Sequence, residues 1–82
     1  MNKQVARRTP AAPPLGVHVF TVRLFNNRNN TFKDSKHFVQ DIPGTSFTQR
    51  VEMRYYEVKR GYENNGYTEG VDFIIIPASA FS

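Results

Sequence analysis

Few side chains in this sequence could do chemistry near neutral pH. His18 and His37 are the two histidines, and imidazole is the group whose unperturbed titration falls in that range. His18 stands in an alternating apolar run beside Phe20, a setting that suits a hydrogen-bonded core or rim histidine better than a catalyst. His37 follows Asp34, Ser35 and Lys36, with Asp41 four residues on. On a helix, His37 and Asp41 would share a face and make a weak pair of metal ligands. In a solvated polar turn, the reading the composition favours, they would not. There is no cysteine, which removes thiolate nucleophiles, disulfides and Cys-ligated zinc. No Ser, His and Asp stand at an informative spacing. Gly61, Gly66 and Gly70 do not build a phosphate-cradling loop. Glu69 and Asp72 are close, but paired carboxylates at a loop end are unspecific. These residues argue against an enzyme and call for no cofactor and no metal.

What the sequence offers instead is charge with a distribution. The net charge is +4. Residues 1–16 carry Lys3, Arg7 and Arg8 and no acid. Residues 17–40 carry Arg23, Arg28, Lys33 and Lys36 against Asp34 alone. From residue 41 onward Arg50, Arg54, Lys59 and Arg60 are outnumbered by Asp41, Glu52, Glu57, Glu63, Glu69 and Asp72. A basic first half of this kind could meet a polyanion, with cations on phosphates. Phe25 and Phe32 bracket an Asn-rich turn, and aromatic rings near a hairpin tip can stack on unpaired bases. The same two rings could instead pack on each other across the strands. Arg50 and Arg54 face away from the apolar stripe of their helix, but Glu52 and Glu57 dilute them for major-groove reading.

These residues need elements to position them. Pro10, Pro13 and Pro14 with Ala11 and Ala12 favour extended backbone, so residues 1–16 read as a flexible basic Pro/Ala-rich arm. Residues 17–25 are rich in β-branched and aromatic side chains and read as a central strand. Its alternation places His18, Phe20, Val22 and Leu24 on one face, and Val17, Val19, Thr21, Arg23 and Phe25 on the other. Asn26, Asn27, Asn29 and Asn30 make a turn, because Asn tolerates left-handed backbone. A hairpin partner should start near Thr31. Residues 35–42 suit either a continued strand or a short helix capped by Asp34.

Phe47, Val51, Tyr55, Val58 and Tyr62 recur at helical spacing and predict one amphipathic helix over 46–62. Ser46 and Gln49 form a capping-box pattern. Lys59 with Glu63 and Arg54 with Glu57 are candidate side-chain pairs. Gly61 or Asn65-Gly66 would stop the helix. Val51, Met53 and Tyr55 also alternate with charges, which leaves a strand as the competing reading of 48–60. Residues 71–76 form an apolar strand suited to an interior position and ended by Pro77.

Eighty-two residues make one domain with a thin core, and small cores often lean on self-association. Seven Phe and four Tyr help fill it. No run approaches the ~18 apolar residues of a membrane span, and residues 1–16 lack the apolar core of a secretory signal, so a cytoplasmic protein is the default.

The run Tyr67-Thr68-Glu69-Gly70-Val71-Asp72-Phe73-Ile74, placed after a basic helix, resembles the end of the AntA-type domain of phage antirepressors. The likeness spans these eight residues, lacks that family's tryptophan, and does not extend to the N-terminal hairpin. It implies a phage or mobile-element origin and assigns no residue a role.

The sequence therefore predicts an α+β fold over residues 17–82, with an N-terminal β-hairpin, one amphipathic helix and a buried C-terminal strand. A small all-β barrel is the alternative. The expected function is nucleic-acid binding, with DNA included, by Lys3, Arg7, Arg8, Arg23, Arg28, Lys33 and Lys36, and base stacking by Phe25 and Phe32. The competing expectation is a protein-interaction or assembly module that binds a host protein or forms a homo-oligomer.

Overall fold

The computed structural model of the chain describes residues 16–81. Lys3, Arg7 and Arg8, and with them the arm, lie outside the described residues. Three strands form one open antiparallel sheet: β1 (Val17–Asn26), β2 (Thr31–Val39) and β3 (Phe73–Pro77), in the order β2-β1-β3. One helix, α1 (Phe47–Asn64), separates β2 from β3, and a 3₁₀ turn (Ala78–Phe81) follows β3. The fold is α+β and the sheet is open, so the barrel alternative does not apply.

The central strand is the one the sequence marked. β1 pairs with both neighbours, and Phe20, Thr21 and Val22 are buried. The turn reverses where Asn30 takes φ 57°, a conformation Asn pays less for than most residues. The segment after the turn continues as strand to Val39, resolving residues 35–39 in favour of β structure. Gly16 is required where β1 begins. Its φ is +103°, and a Cβ there would lie 2.5 Å from the Val39 carbonyl oxygen.

The β1–β2 register slips between His18 and Phe20 and leaves Val19 as a bulge: His18 pairs with Phe38, and Phe20 with His37. A bulge adds a residue on one strand and turns the side chains that follow. His18 and Phe20 therefore sit on opposite faces, which corrects the simple alternation. Val19 packs toward the core with Phe20, Val22, Leu24, Ile75 and Phe73.

α1 covers that core face. Phe47, Val51, Tyr55, Val58 and Tyr62 are its half-buried residues together with Arg50 and Lys59, so the helical period outcompetes the strand reading of 48–60. The Gln49 N–H donates to Ser46 Oγ at 3.3 Å and caps the first turn. The stop is Asn65-Gly66, with Gly66 at φ +91°, the left-handed position that favours glycine after a helix. Tyr55 meets Phe20 edge-on at 6.1 Å, and Tyr62 stacks on Phe73 at 5.0 Å.

β3 is buried by packing while lying at a sheet edge rather than in the interior. Phe73 is fully buried and Ile74, Ile75 and Ile76 are half-buried. Among the described residues no helix is long and apolar enough to cross a membrane.

Candidate nucleic-acid interface

The face of the sheet opposite α1 carries Thr21, Arg23 and Phe25 from β1 and their cross-strand partners Lys36, Asp34 and Phe32 from β2. The bulge adds His18, paired with Phe38. The 3₁₀ turn folds back over one end of this face, bringing the Phe81 ring to 6.3 Å from the His18 ring. Thr21 is thereby buried and donates or accepts one hydrogen bond with His18 Nε2 at 2.8 Å. The rest of the face has no helix on it.

Arg23 is held in place by two contacts. Its Nε and Nη2 donate to the two carboxylate oxygens of Asp34 at 2.8 and 2.9 Å. Its guanidinium carbon lies 4.0 Å from the centre of the Phe32 ring, a cation–π arrangement. The hydrogen bond from Arg23 keeps the Asp34 carboxyl below its ordinary value, and Asp34 in turn raises that of Arg23. Phe25 and Phe32 are direct cross-strand partners. Phe25 is half-buried and Phe32 exposed.

The other predicted cations are placed differently. Arg28 is exposed in the turn, and Lys33 and Lys36 are exposed on the edge strand β2. Lys36 lies on the open face with Arg23, whereas Lys33 is paired with Leu24 and belongs to the helix side. Among the described residues the ion pairs are Arg23–Asp34, Arg54–Glu57 and Lys59–Glu69. None of them involves Arg28, Lys33 or Lys36.

Two further cations reach the same edge, and the sequence did not single them out for this. Arg50 Nε donates to the Gln40 carbonyl at 3.1 Å, and Arg54 Nη1 to the Phe38 carbonyl at 3.2 Å. Both turn toward β2 instead of away from the stripe. The Arg54–Glu57 pair forms at 3.7 Å. Lys59 passes over Glu63 and bonds Glu69 of the following loop at 3.0 Å. That contact is long-range, and no spacing within the helix could signal it.

Two of the six acids of the second half lie in the loop before β3 and are already bonded. Glu69 binds Lys59, and the Asp72 carboxylate accepts from the Thr68 N–H at 2.8 Å.

His37 is neither a solvated turn residue nor a partner on a helix with Asp41. It lies in β2 on the helix side, stacked on Phe20 at 5.3 Å. Burial, and then the charge of Arg54, hold its imidazole below the ordinary value. Among the described residues no three His, Asp or Glu side chains converge as a metal site would need.

A shallow cavity of about 170 Å³ opens on the helix-free face, lined by His18, Thr21, Asp34, Lys36 and Phe81. Its walls combine two rings, one cation and one carboxylate. The likeness of residues 67–74 to phage antirepressors falls on the loop between α1 and β3 and the start of that strand. In comparisons of the whole chain with known proteins, no family model, no curated protein and no solved structure matches it.

Proposed function

We propose that this chain is a small cytoplasmic, non-enzymatic protein that binds nucleic acid through β2 and the adjoining helix-free face of the sheet. The observation that carries this reading is the set of cations along β2. Arg28, Lys33 and Lys36 are exposed and outside the ion pairs of the described residues, with Arg50 and Arg54 anchored beside them. Lysines also guard an edge strand against unwanted pairing, but the Arg28 turn and the two arginines of α1 extend the charge past the edge itself. Phosphates are bound by such a surface with little sequence preference. Lys3, Arg7 and Arg8 would add contacts from the arm. Arg23 is a weaker phosphate ligand, because Asp34 already occupies it. Phe32 is better placed for stacking than Phe25.

Fluorescence anisotropy with labelled single-stranded DNA, duplex DNA and RNA over a range of salt tests this. The expected result is binding that weakens steeply as salt rises. Absence of binding to all three even at low salt would end the proposal.

One observation favours assembly as a second reading. β3 is an edge strand with no charged residue, whereas the other edge is rich in charge, and uncharged apolar edges are ready sites for strand addition. Deleting residues 2–14 separates the two readings. On the first reading oligonucleotide affinity falls and its salt dependence flattens as Lys3, Arg7 and Arg8 are lost, while the β2 cations keep a remainder. An oligomer on a sizing column that survives the deletion, with no oligonucleotide binding at the start, supports the second.

A further inference from the structure

We infer that the nucleic-acid backbone passes over the edge of β2 onto its helix side, where Arg50 and Arg54 of α1 hold a phosphate, and that this phosphate is coupled to the proton of His37 beside them. The inference rests on the nucleic-acid reading and adds to it where the backbone lies and how pH regulates its binding.

The strand leaves room there. Lys33, Ser35 and His37 are cross-strand partners of Leu24, Val22 and Phe20, so they lie on the side of the sheet that α1 packs against. Yet Thr31 to Lys36 are all exposed, so α1 leaves that side of β2 open until the strand nears its end.

Cations reach this open stretch from two elements. Lys33 is exposed on the strand itself. Arg50 and Arg54 stand one helical turn apart, about 5–6 Å at Cβ. Arg50 Nε donates to the Gln40 carbonyl at 3.1 Å, and Arg54 Nη1 to the Phe38 carbonyl at 3.2 Å. A guanidinium has five N–H donors, so a bond to the strand leaves others for a phosphate. It also fixes the planar fork, and less rotamer freedom is lost when a phosphate binds. Glu57 approaches Arg54 Nε at 3.7 Å with its side chain 69% exposed, a contact too long and too wet to occupy the arginine. The open face compares poorly. Its Arg23 is engaged by both oxygens of Asp34, which leaves Lys36 as the strand cation there outside the ion pairs of the described residues.

His37 is the titratable group at this corner. Its ring stacks on Phe20 of β1 at 5.3 Å, and Arg54 bonds the carbonyl of the next residue. α1 presents Arg54 to it, with Tyr55 against the same Phe20 ring at 6.1 Å, while Lys36 belongs to the opposite side. Among the described residues no acid pairs with the imidazole. Burial, and then the charge of Arg54, hold it below its ordinary value, so it is neutral at pH 7 in the free protein. A phosphate on Arg54 offsets that charge and favours the imidazolium. Linkage is reciprocal, so the protonated imidazole favours the phosphate to the same degree. Binding therefore tightens as pH falls below about 6.5.

The test follows both imidazoles of the full chain by NMR titration, alone and with oligo(dT) or a DNA duplex. Anisotropy with the same two probes runs beside it from about pH 7.5 to 5.5. The expected result is a His37 midpoint that moves up when DNA is bound and an affinity that rises about 5-fold over that range. His37→Gln should lose this pH dependence. Arg54→Gln should lower the slope of log affinity against log salt by about 0.7 on oligo(dT) or about 0.9 on duplex, and DNA should then leave the His37 midpoint in place. Circular dichroism checks the fold of each variant, and the NMR titration of the unsubstituted chain decides the matter where a variant does not fold. Binding that leaves the His37 midpoint unmoved, or moves that of His18 alone, would overturn the placement and leave the nucleic-acid reading standing. No binding of either polymer would overturn both.

Discussion

His37 shows how one side chain's chemistry is set by what lies on it. Stacked on Phe20 beneath α1, with Arg54 nearby, it is held neutral below its ordinary value of 6.5. The unfolded chain takes up this proton first as the solution is acidified. Stability from this group is therefore complete above about pH 6.5 and falls as pH drops from there toward the lower folded value. Thermal melts between about pH 6.5 and 5 should show this decline, and His37→Gln should flatten it. Gly16 has an equally local constraint. At φ +103°, with a Cβ placed 2.5 Å from the Val39 carbonyl oxygen, Gly16→Ala should cost about 1–3 kcal/mol, read by urea unfolding. Asp34 is the acid on the proposed binding face. Asp34→Asn removes its charge and loosens Arg23, so oligonucleotide affinity should rise and its salt slope should steepen by up to about 0.9.

At the scale of elements, α1 owes its place to a stripe and a cap. Phe47, Val51, Tyr55, Val58 and Tyr62 face the sheet, half-buried, and none is fully enclosed. A helix held by so shallow a contact depends more than usual on its ends. Ser46→Ala removes the acceptor for the Gln49 N–H and should cost about 1 kcal/mol, seen as a lower midpoint in urea. Arg50 and Arg54 tie α1 to the Gln40 and Phe38 carbonyls. These bonds sit where β2 ends, so the helix also steadies the edge that carries Lys36. The bulge at Val19 has the opposite kind of effect: it moves one histidine out of the helix-covered face and onto the open one.

For the whole molecule the margin is small. Phe20, Val22, Val39 and Phe73 are the buried apolar side chains among the described residues. Phe73→Ala should cost about 3–5 kcal/mol, against a total of roughly 4–12 kcal/mol for a chain this long. Thermal denaturation should show a large loss of Tm, or no folded state at all. The charge is arranged at the same scale. Arg28, Lys33 and Lys36, outside the ion pairs of the described residues, lie along β2 and its turn, while Glu69 is bonded to Lys59 of α1 and Asp72 to the Thr68 N–H.

Local periodicity already determined much of this. The β1 alternation, the Asn turn, the five-residue stripe of α1, the Ser46 cap and the apolar β3 segment were all readable from spacing, because each depends on neighbours a few residues away. So was the concentration of cations in residues 23–36. Tertiary structure alone decided the rest. Sheet order put the apolar β3 at an edge, since hydrophobicity reports burial but not which strand lies beyond. The slip at Val19 split His18 from Phe20, because register depends on the partner strand. Lys59 chose Glu69, and Arg50 and Arg54 chose β2 carbonyls, through contacts between distant segments. The cavity exists because His18, Lys36 and Phe81 come from three elements, and no spacing along the chain records that they meet.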